Sequence, residues 1–410
     1  MNGGSIVTRN VVRLAALAGG GALLAAALTV SGSAATKAGP LKIGISLSLS
    51  GDFSDSGKAA QRGYKLWANV VNAKGGVLGR KVQLIVQDDT SSPTQAATNY
   101  QNFITKDKVD LVFGPFSTLL SAPSAAVANR YGYAFIEPAG GGPAVFKEKL
   151  HNVFFTQPAP VLQSADVFAK FLLSLPKSQR PKTAAYPSLD DPFASPIADR
   201  VRSLLEKAGV KTTYKTIYPS ETTDMGPIIQ KVAAGHPDAV IGGTQNNDAF
   251  AQVKAMVQQK FSPKFVFLTN GPNDPAEFPS KVGAKNVNGI FATGDWFPEA
   301  KSPGNAAFVA AYHKAYGAGA IDPTSAEAYA AGQVVQDVAA KTHSVDNKKV
   351  IATLHTGSWP TVEGVLRWNS IGEPQGSDLL VEWINGKLYP VYPSNVALHK
   401  PVVPKPAWGG

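Results

Sequence analysis

The chain has 410 residues, 44% of them apolar, more than one domain comfortably buries and enough for two. Its formal charge is +10, but the lysines are dispersed and no basic run is interleaved with aromatics, so the excess excludes a nucleic-acid footprint and reads as general attraction to anions. With no cysteine, the chain has no disulfide framework, no thiolate metal site and no lipid-accepting cysteine of a bacterial lipoprotein.

Arg9 and Arg13 precede a run from Leu14 to Val30 built almost wholly of Leu, Ala, Gly and Val, and small residues follow at Ser33, Ala34 and Ala35. That order describes a secretory signal peptide over residues 1–35. The alternative is an uncleaved amino-terminal anchor, since the run approaches the roughly 18 apolar residues of a membrane helix; its Ala and Gly content favours cleavage. The mature product is then expected free in a periplasm or outside the cell. No later segment has a long uninterrupted apolar run, and the remainder is expected to be soluble.

Leu41-Lys-Ile-Gly-Ile-Ser-Leu-Ser-Leu49 alternates apolar and polar residues like a strand, and the turn-rich loop Ser50-Gly-Asp-Phe-Ser-Asp-Ser-Gly57 follows it. Ala60, Gly63, Tyr64, Trp67, Val70 and Val71 share one helical face, which Lys74-Gly-Gly76 ends. The alternation continues with a strand over 81–87, a helix over 94–105, a strand over 109–113, a helix over 122–130 and a strand over 133–136. A second series has helices over 196–208, 228–234 and 249–259 and strands over 212–217, 238–241, 264–268 and 290–293. A long helical region over 306–341 and strand-like pieces over 362–368 and 378–383 complete it, and Pro393 to Gly410 reads as an extended tail. Strands alternating with helices pair in parallel through right-handed crossovers, so the fold class is α/β with doubly wound sheets in two lobes.

Catalytic chemistry is absent from the pattern. The six histidines, His151, His236, His313, His343, His355 and His399, are isolated, with no metal-ligand pair at helical spacing. No strand-turn-helix carries a nucleophile elbow. Gly51-Asp-Phe-Ser-Asp-Ser-Gly57-Lys58-Ala59 sits between strand and helix as a phosphate loop would, but it has one residue too many between its glycines, and Ala59 offers no hydroxyl to magnesium. No catalytic residue, metal or cofactor is expected. Ligands of open α/β sheets collect at the carboxyl ends of strands. Besides that loop, Gly114-Pro-Phe-Ser-Thr118, Pro138-Ala-Gly-Gly-Gly142 and Gly242-Gly-Thr-Gln-Asn246 occupy such ends. Their glycines admit close backbone approach, and Ser117, Thr118, Thr244, Gln245 and Asn246 supply neutral donors and acceptors. Each alone is an ordinary turn; four on one chain with no catalytic group among them describe a binding cleft.

Leu47-Ser-Leu-Ser-Gly51, Asn72-Ala-Lys-Gly-Gly-Val-Leu-Gly-Arg80, Asp88-Asp89, Val112-Phe-Gly-Pro115 and Pro143-Ala-Val-Phe146 resemble the branched-chain amino-acid-binding proteins of ABC transporters, which have the type I periplasmic binding fold. The resemblance covers roughly residues 41–392, with specific motifs in the amino-terminal half and agreement of order and length in the rest. It implies a Venus-flytrap of two lobes joined by three crossings, the first about 41–157 plus 295–362 and the second about 158–294 plus 363–392. Closure is driven by contacts made only when both lobes touch the ligand. The resemblance assigns ligand contacts to Ser117 and Thr118, to the backbone of Ala139, Gly140 and Gly141, to Phe193 as a covering aromatic, and to the loops bearing Thr244, Gln245, Asn270 and Gly271. Members that bind amino acids commonly place a glutamate for the ligand ammonium where Gly271 stands here, and Asp274, Asp191 or Asp295 are the substitutes in reach.

The implied function is an extracytoplasmic solute-binding protein that hands a small organic ligand to an ABC permease, with no nucleic-acid partner and as a monomer. The ligand is a branched-chain amino acid, an amide, or a short or aromatic carboxylic acid. The alternatives are a receptor domain that reports ligand occupancy to a membrane kinase or chemoreceptor, and an exported enzyme using carboxylates such as Glu137, Asp191 and Asp295.

Overall fold

The computed structural model describes residues 39–409, so the expected signal peptide over 1–35 lies outside the described residues. In chain order the first series is β1 (Leu41–Leu47), α1 (Ser54–Ala73), β2 (Val82–Asp88), α2 (Pro93–Thr105), β3 (Leu111–Phe113), α3 (Thr118–Arg130), β4 (Phe135–Glu137), α4 (Pro143–Phe146) and β5 (Val153–Phe155). These five strands form one parallel sheet in the order β2-β1-β3-β4-β5. The second series is α5 (Asp166–Ser174), β6 (Thr183–Leu189), α6 (Ala194–Lys207), β7 (Lys211–Tyr218), α7 (Gly226–Ala234), β8 (Ala239–Gly242), α8 (Asn246–Gln258), β9 (Phe265–Leu268), α9 (Phe278–Val282) and β10 (Ile290–Gly294). The chain then makes α10 (Asn305–Tyr316), α11 (Pro323–Thr342), α12 (Asn347–Leu354), β11 (Trp359–Thr361), β12 (Gly364–Leu366), β13 (Leu379–Ile384) and β14 (Lys387–Tyr392).

The second sheet has the order β14-β13-β10-β9-β8-β6-β7. It is parallel from β10 through β7, but β13 runs antiparallel to β10 and β14 antiparallel to β13. The expected doubly wound parallel lobe is present and carries β13 and β14 as an antiparallel edge, which matters for the site because the start of an antiparallel strand lies where its parallel neighbour ends.

The long helical region expected over 306–341 consists of two helices, because Gly317 turns the chain at φ +94° and Pro323 opens α11, where its missing N–H is harmless. The expected strand over 362–368 is the second arm of a hairpin, β11 with β12, turning at Val362 and Glu363. The chain stays against the first sheet past residue 362. The Trp368 indole donates to the Phe155 carbonyl at 2.6 Å, and the Phe155 N–H donates to the Gly372 carbonyl at 3.3 Å, before the chain enters the second sheet at β13.

Helix α1 packs on α11 through two positions that tolerate no side chain. A Cβ on Gly63 would lie 2.1 Å from the Ser325 carbonyl oxygen, and one on Gly332 would lie 2.1 Å from the Trp67 ring. The Ser325 hydroxyl donates to the Ala59 carbonyl at 2.9 Å and fixes the register. This contact holds the amino end of α11, with Asp322, Thr324 and Glu327, at the mouth between the sheets. Among the described residues no helix is long and apolar enough to cross a membrane.

Residues 393–409 contain neither helix nor strand, but they are packed down. The Trp408 indole donates to the Phe261 carbonyl at 2.7 Å, the Lys405 N–H donates to the Lys264 carbonyl at 2.9 Å, and Lys405 Nζ sits 3.4 Å over the Trp408 ring. Replacing Trp408 by Ala should cost about 1–2 kcal/mol, the sum of one hydrogen bond and one cation–π contact. Urea unfolding monitored by far-ultraviolet circular dichroism checks this, and an unchanged midpoint would show that the tail is a passenger.

Candidate ligand-binding cleft

The carboxyl ends of β3, β4, β6, β8, β9 and β10 face one cleft of about 730 Å³, including its opening to solvent. Among the residues assigned to the site from sequence, Ser117, Thr118, Ala139, Phe193, Gln245 and Asn270 line it, and Gly140, Gly141, Thr244 and Gly271 do not. Ser117 precedes α3; its side chain makes no cap bond, and its buried Oγ has no hydrogen-bond partner. It lines the cleft as a hydroxyl whose hydrogen-bonding capacity the protein leaves unused. Thr118 Oγ1 accepts the Gly142 N–H at 2.9 Å and keeps its own proton to donate.

The loop after β4 differs from expectation. The resemblance gives its N–H groups to a ligand, but the Ala139 N–H donates to Glu137 Oε1 at 2.9 Å, and the Gly140 N–H also points to this carboxyl. The Ser121 hydroxyl donates to Glu137 Oε2 at 2.7 Å. Glu137 is fully buried, which pushes its pKa up to about 8 despite those three donors. It therefore pins the loop from beneath, and the loop's first two N–H groups are spent on it. Gly140 and Gly141 are small because a Cβ would meet Ser121 Oγ at 2.2 Å and the Phe155 ring at 2.5 Å.

Thr244 is likewise a brace. Its hydroxyl donates to the Asn270 carbonyl at 2.9 Å and its N–H donates to Thr269 Oγ1 at 2.7 Å, so it ties the ends of β8 and β9 together. Gly271 has φ +102° and lies where a Cβ would be 2.5 Å from that of Ala249, which explains why no side chain stands there. Asp191 is occupied as a cap: its Oδ1 accepts from the Phe193 and Ala194 N–H groups and from Gln245 Nε2. Phe193 then closes one wall of the cleft at the start of α6.

The dominant feature is acidic. Asp274, Asp295, Asp322, Glu327 and Asp378 line the cleft, and no Lys, Arg or His does. Asp274 comes from the loop after β9, braced by the Trp383 indole, which donates to the Pro272 carbonyl at 2.7 Å. Asp295 follows β10. Asp322 caps α11, its Oδ1 accepting the Thr324 N–H at 2.9 Å, and Glu327 lies farther along that helix. Asp378 precedes β13, whose Leu379 pairs with Gly294, so the antiparallel register brings it beside Asp295. Glu363, in the β11–β12 turn, is also buried.

Burial holds every one of these carboxyls above the ordinary range, Asp322 at about 6. The neighbouring Asp322 charge adds to the rise at Asp274, and the Asp295 charge adds at Glu327, Glu363 and Asp378. Asp295 and Glu327 share a hydrogen bond, the signature of one proton held between two acids. Asp274 Oδ2, Asp295 Oδ2, Glu327 Oε2, Asp378 Oδ1 and both Glu363 oxygens lack a hydrogen-bond partner. Among the described residues no group of three His, Cys, Asp or Glu is arranged to hold a metal ion.

The family model described as periplasmic binding protein matches residues 40–382. The chain belongs to the periplasmic binding protein family. It is similar to Leu/Ile/Val-binding protein homologs 7 and 8 of Brucella suis biovar 1, each 23% identical and spanning 93% of this chain, with 98% and 97% of the respective relative covered. The leucine binding protein LivK of Thermotoga maritima superposes with a TM-score of 0.76 at 21% identity, over 85% of this chain and 97% of that one. The branched-chain amino acid transporter substrate binding protein LivJ of Streptococcus pneumoniae, in complex with isoleucine, gives 0.76 at 19% identity over 90% and 100%. A solute binding protein of an ABC transporter from R. palustris, in complex with benzoate, gives 0.76 at 19% identity over 90% and 97%. These structures share the two-lobed α/β fold.

Proposed function

We propose that this protein is an extracytoplasmic solute receptor of an ABC importer and that its ligand carries an ammonium group, as an α-amino acid does. The observation that carries the reading is the set of buried, unpartnered carboxylate oxygens in a cleft that also presents the free Ser117 hydroxyl. Unpaired carboxylates are expensive to bury, and a ligand ammonium supplies both the charge and the N–H donors they lack. Asp274, three residues after Gly271 in the same loop, takes the part of the missing glutamate, with Asp322 beside it. Ser117 and Thr118 donate to the ligand carboxylate. The relatives' names and the isoleucine seated in LivJ support an amino acid; the benzoate complex shows that the same fold also accepts a plain acid. A purely acidic ligand would bring its charge among five cleft carboxylates, and that repulsion separates the two readings.

A thermal-shift panel at pH 8 of amino acids, neutral amides and aromatic acids tests this. An ammonium-bearing ligand at a hundredfold over its dissociation constant should stabilise by about 2.7 kcal/mol. Stabilisation by amides or aromatic acids alone would refute the ammonium.

A further inference from the structure

We propose that the cleft takes a second cationic group, so that the ligand is a basic α-amino acid whose side chain ends in an ammonium or guanidinium. The inference rests on the amino-acid reading and goes past it by counting acceptors. An α-ammonium has three N–H donors and one charge. Five acids line the cleft and Glu363 is buried outside that lining, and together they fall into two sets. The first set is Asp274 with Asp322, whose charge acts on Asp274; the second is Glu327, Asp378 and Glu363 around Asp295, and Asp322 borders it too. One ammonium placed on the first set leaves the second with five oxygens and no donor: Asp295 Oδ2, Glu327 Oε2, Asp378 Oδ1 and both oxygens of Glu363.

These groups are not solvated acids at a rim. Glu327, Glu363 and Asp378 are 5%, 6% and 8% exposed. They arrive from four separate places, the end of β10, helix α11, the β11–β12 turn and the start of β13, and their arrangement converges on no metal position. An extended organic cation with several N–H donors fits that spread. A branched-chain side chain would instead set methyl groups against the acids around Asp295 and leave that set unpaired.

The test compares L-lysine and L-arginine with L-norleucine, which has the lysine carbon skeleton without the terminal ammonium, by calorimetry on the purified protein at pH 8. Lysine or arginine should bind at least about 30-fold more tightly than norleucine, the scale of a buried charge pair. Asp378→Asn should weaken lysine about tenfold more than it weakens norleucine, and equal losses for the two ligands would overturn the second cation. The ligand-free melting temperature of that variant, expected unchanged or higher, shows that it is folded. Norleucine or leucine binding as tightly as lysine overturns the second cation and leaves the amino-acid reading standing. Binding of amides or aromatic acids alone overturns both. Competition of lysine by millimolar calcium would assign the acidic set to a metal and overturn the organic cation, as would no binding of lysine or arginine at millimolar concentration.

Discussion

Between pH 5 and pH 8 the ligand-free protein should lose several kcal/mol of stability, and its melting temperature should fall by roughly 5–10 °C. The cause is a set of acids that fold into places where charge is unwelcome. Burial raises Glu137 and Glu382 to about 8, Asp248 to about 7 and Asp322 to about 6. A carboxyl whose folded pKa lies above its unfolded value keeps its proton in the native state where the unfolded chain has lost it. The stability this contributes is complete below about pH 4 and disappears as pH rises through the folded value, at about 1.4 kcal/mol for each tenfold difference in proton affinity between the two states. Glu137→Gln isolates one of these contributions, away from the cleft acids. Glutamine Oε1 accepts the Ala139 N–H and Nε2 faces Ser121, so the loop should survive while the slope flattens. A melting temperature that rises from pH 5 to pH 8, or an unflattened slope in the variant, would remove Glu137 from the account.

Ligand affinity should run the opposite way and tighten by about tenfold per pH unit for each proton the cleft gives up. At pH 5 the cleft acids hold protons. An incoming cation is attracted only to ionised carboxylates, so its binding displaces those protons, and the displacement becomes easier as pH rises. The groups that set the midpoint are Asp274, Asp295, Asp322, Glu327, Glu363 and Asp378, with Glu277 adding negative charge near Asp274 and Arg62 drawing Asp322 down. Lysine affinity measured from pH 5.5 to pH 8 checks this, and affinity independent of pH would mean that the acids do not receive the ligand.

Much of the architecture was legible because it rests on periodicity. The alternating 41–49 segment and the one-faced helix through Trp67 appear as β1 and α1, where local pattern and tertiary burial agree. Loops at strand ends were legible too, and they brought Ser117, Thr118, Ala139, Phe193, Gln245 and Asn270 to one cleft. What was not legible is non-local. Asp378 reaches the site only because β13 pairs antiparallel with β10, and no local signal announces that register. Asp322 and Glu327 lay inside the expected long helical region, whose interior break was signalled by Gly317 and the Asp322-Pro323 pair. The spent N–H groups of Ala139 and Gly140 follow from Glu137 folding back under its own loop, a contact that spacing alone does not reveal.

The most direct test of a cation-binding, proton-releasing cleft is calorimetry of lysine binding at pH 7 in two buffers of different ionisation enthalpy, which counts the protons exchanged. Release of at least one proton per ligand bound is the predicted result, and binding with no release, or with uptake, would contradict it.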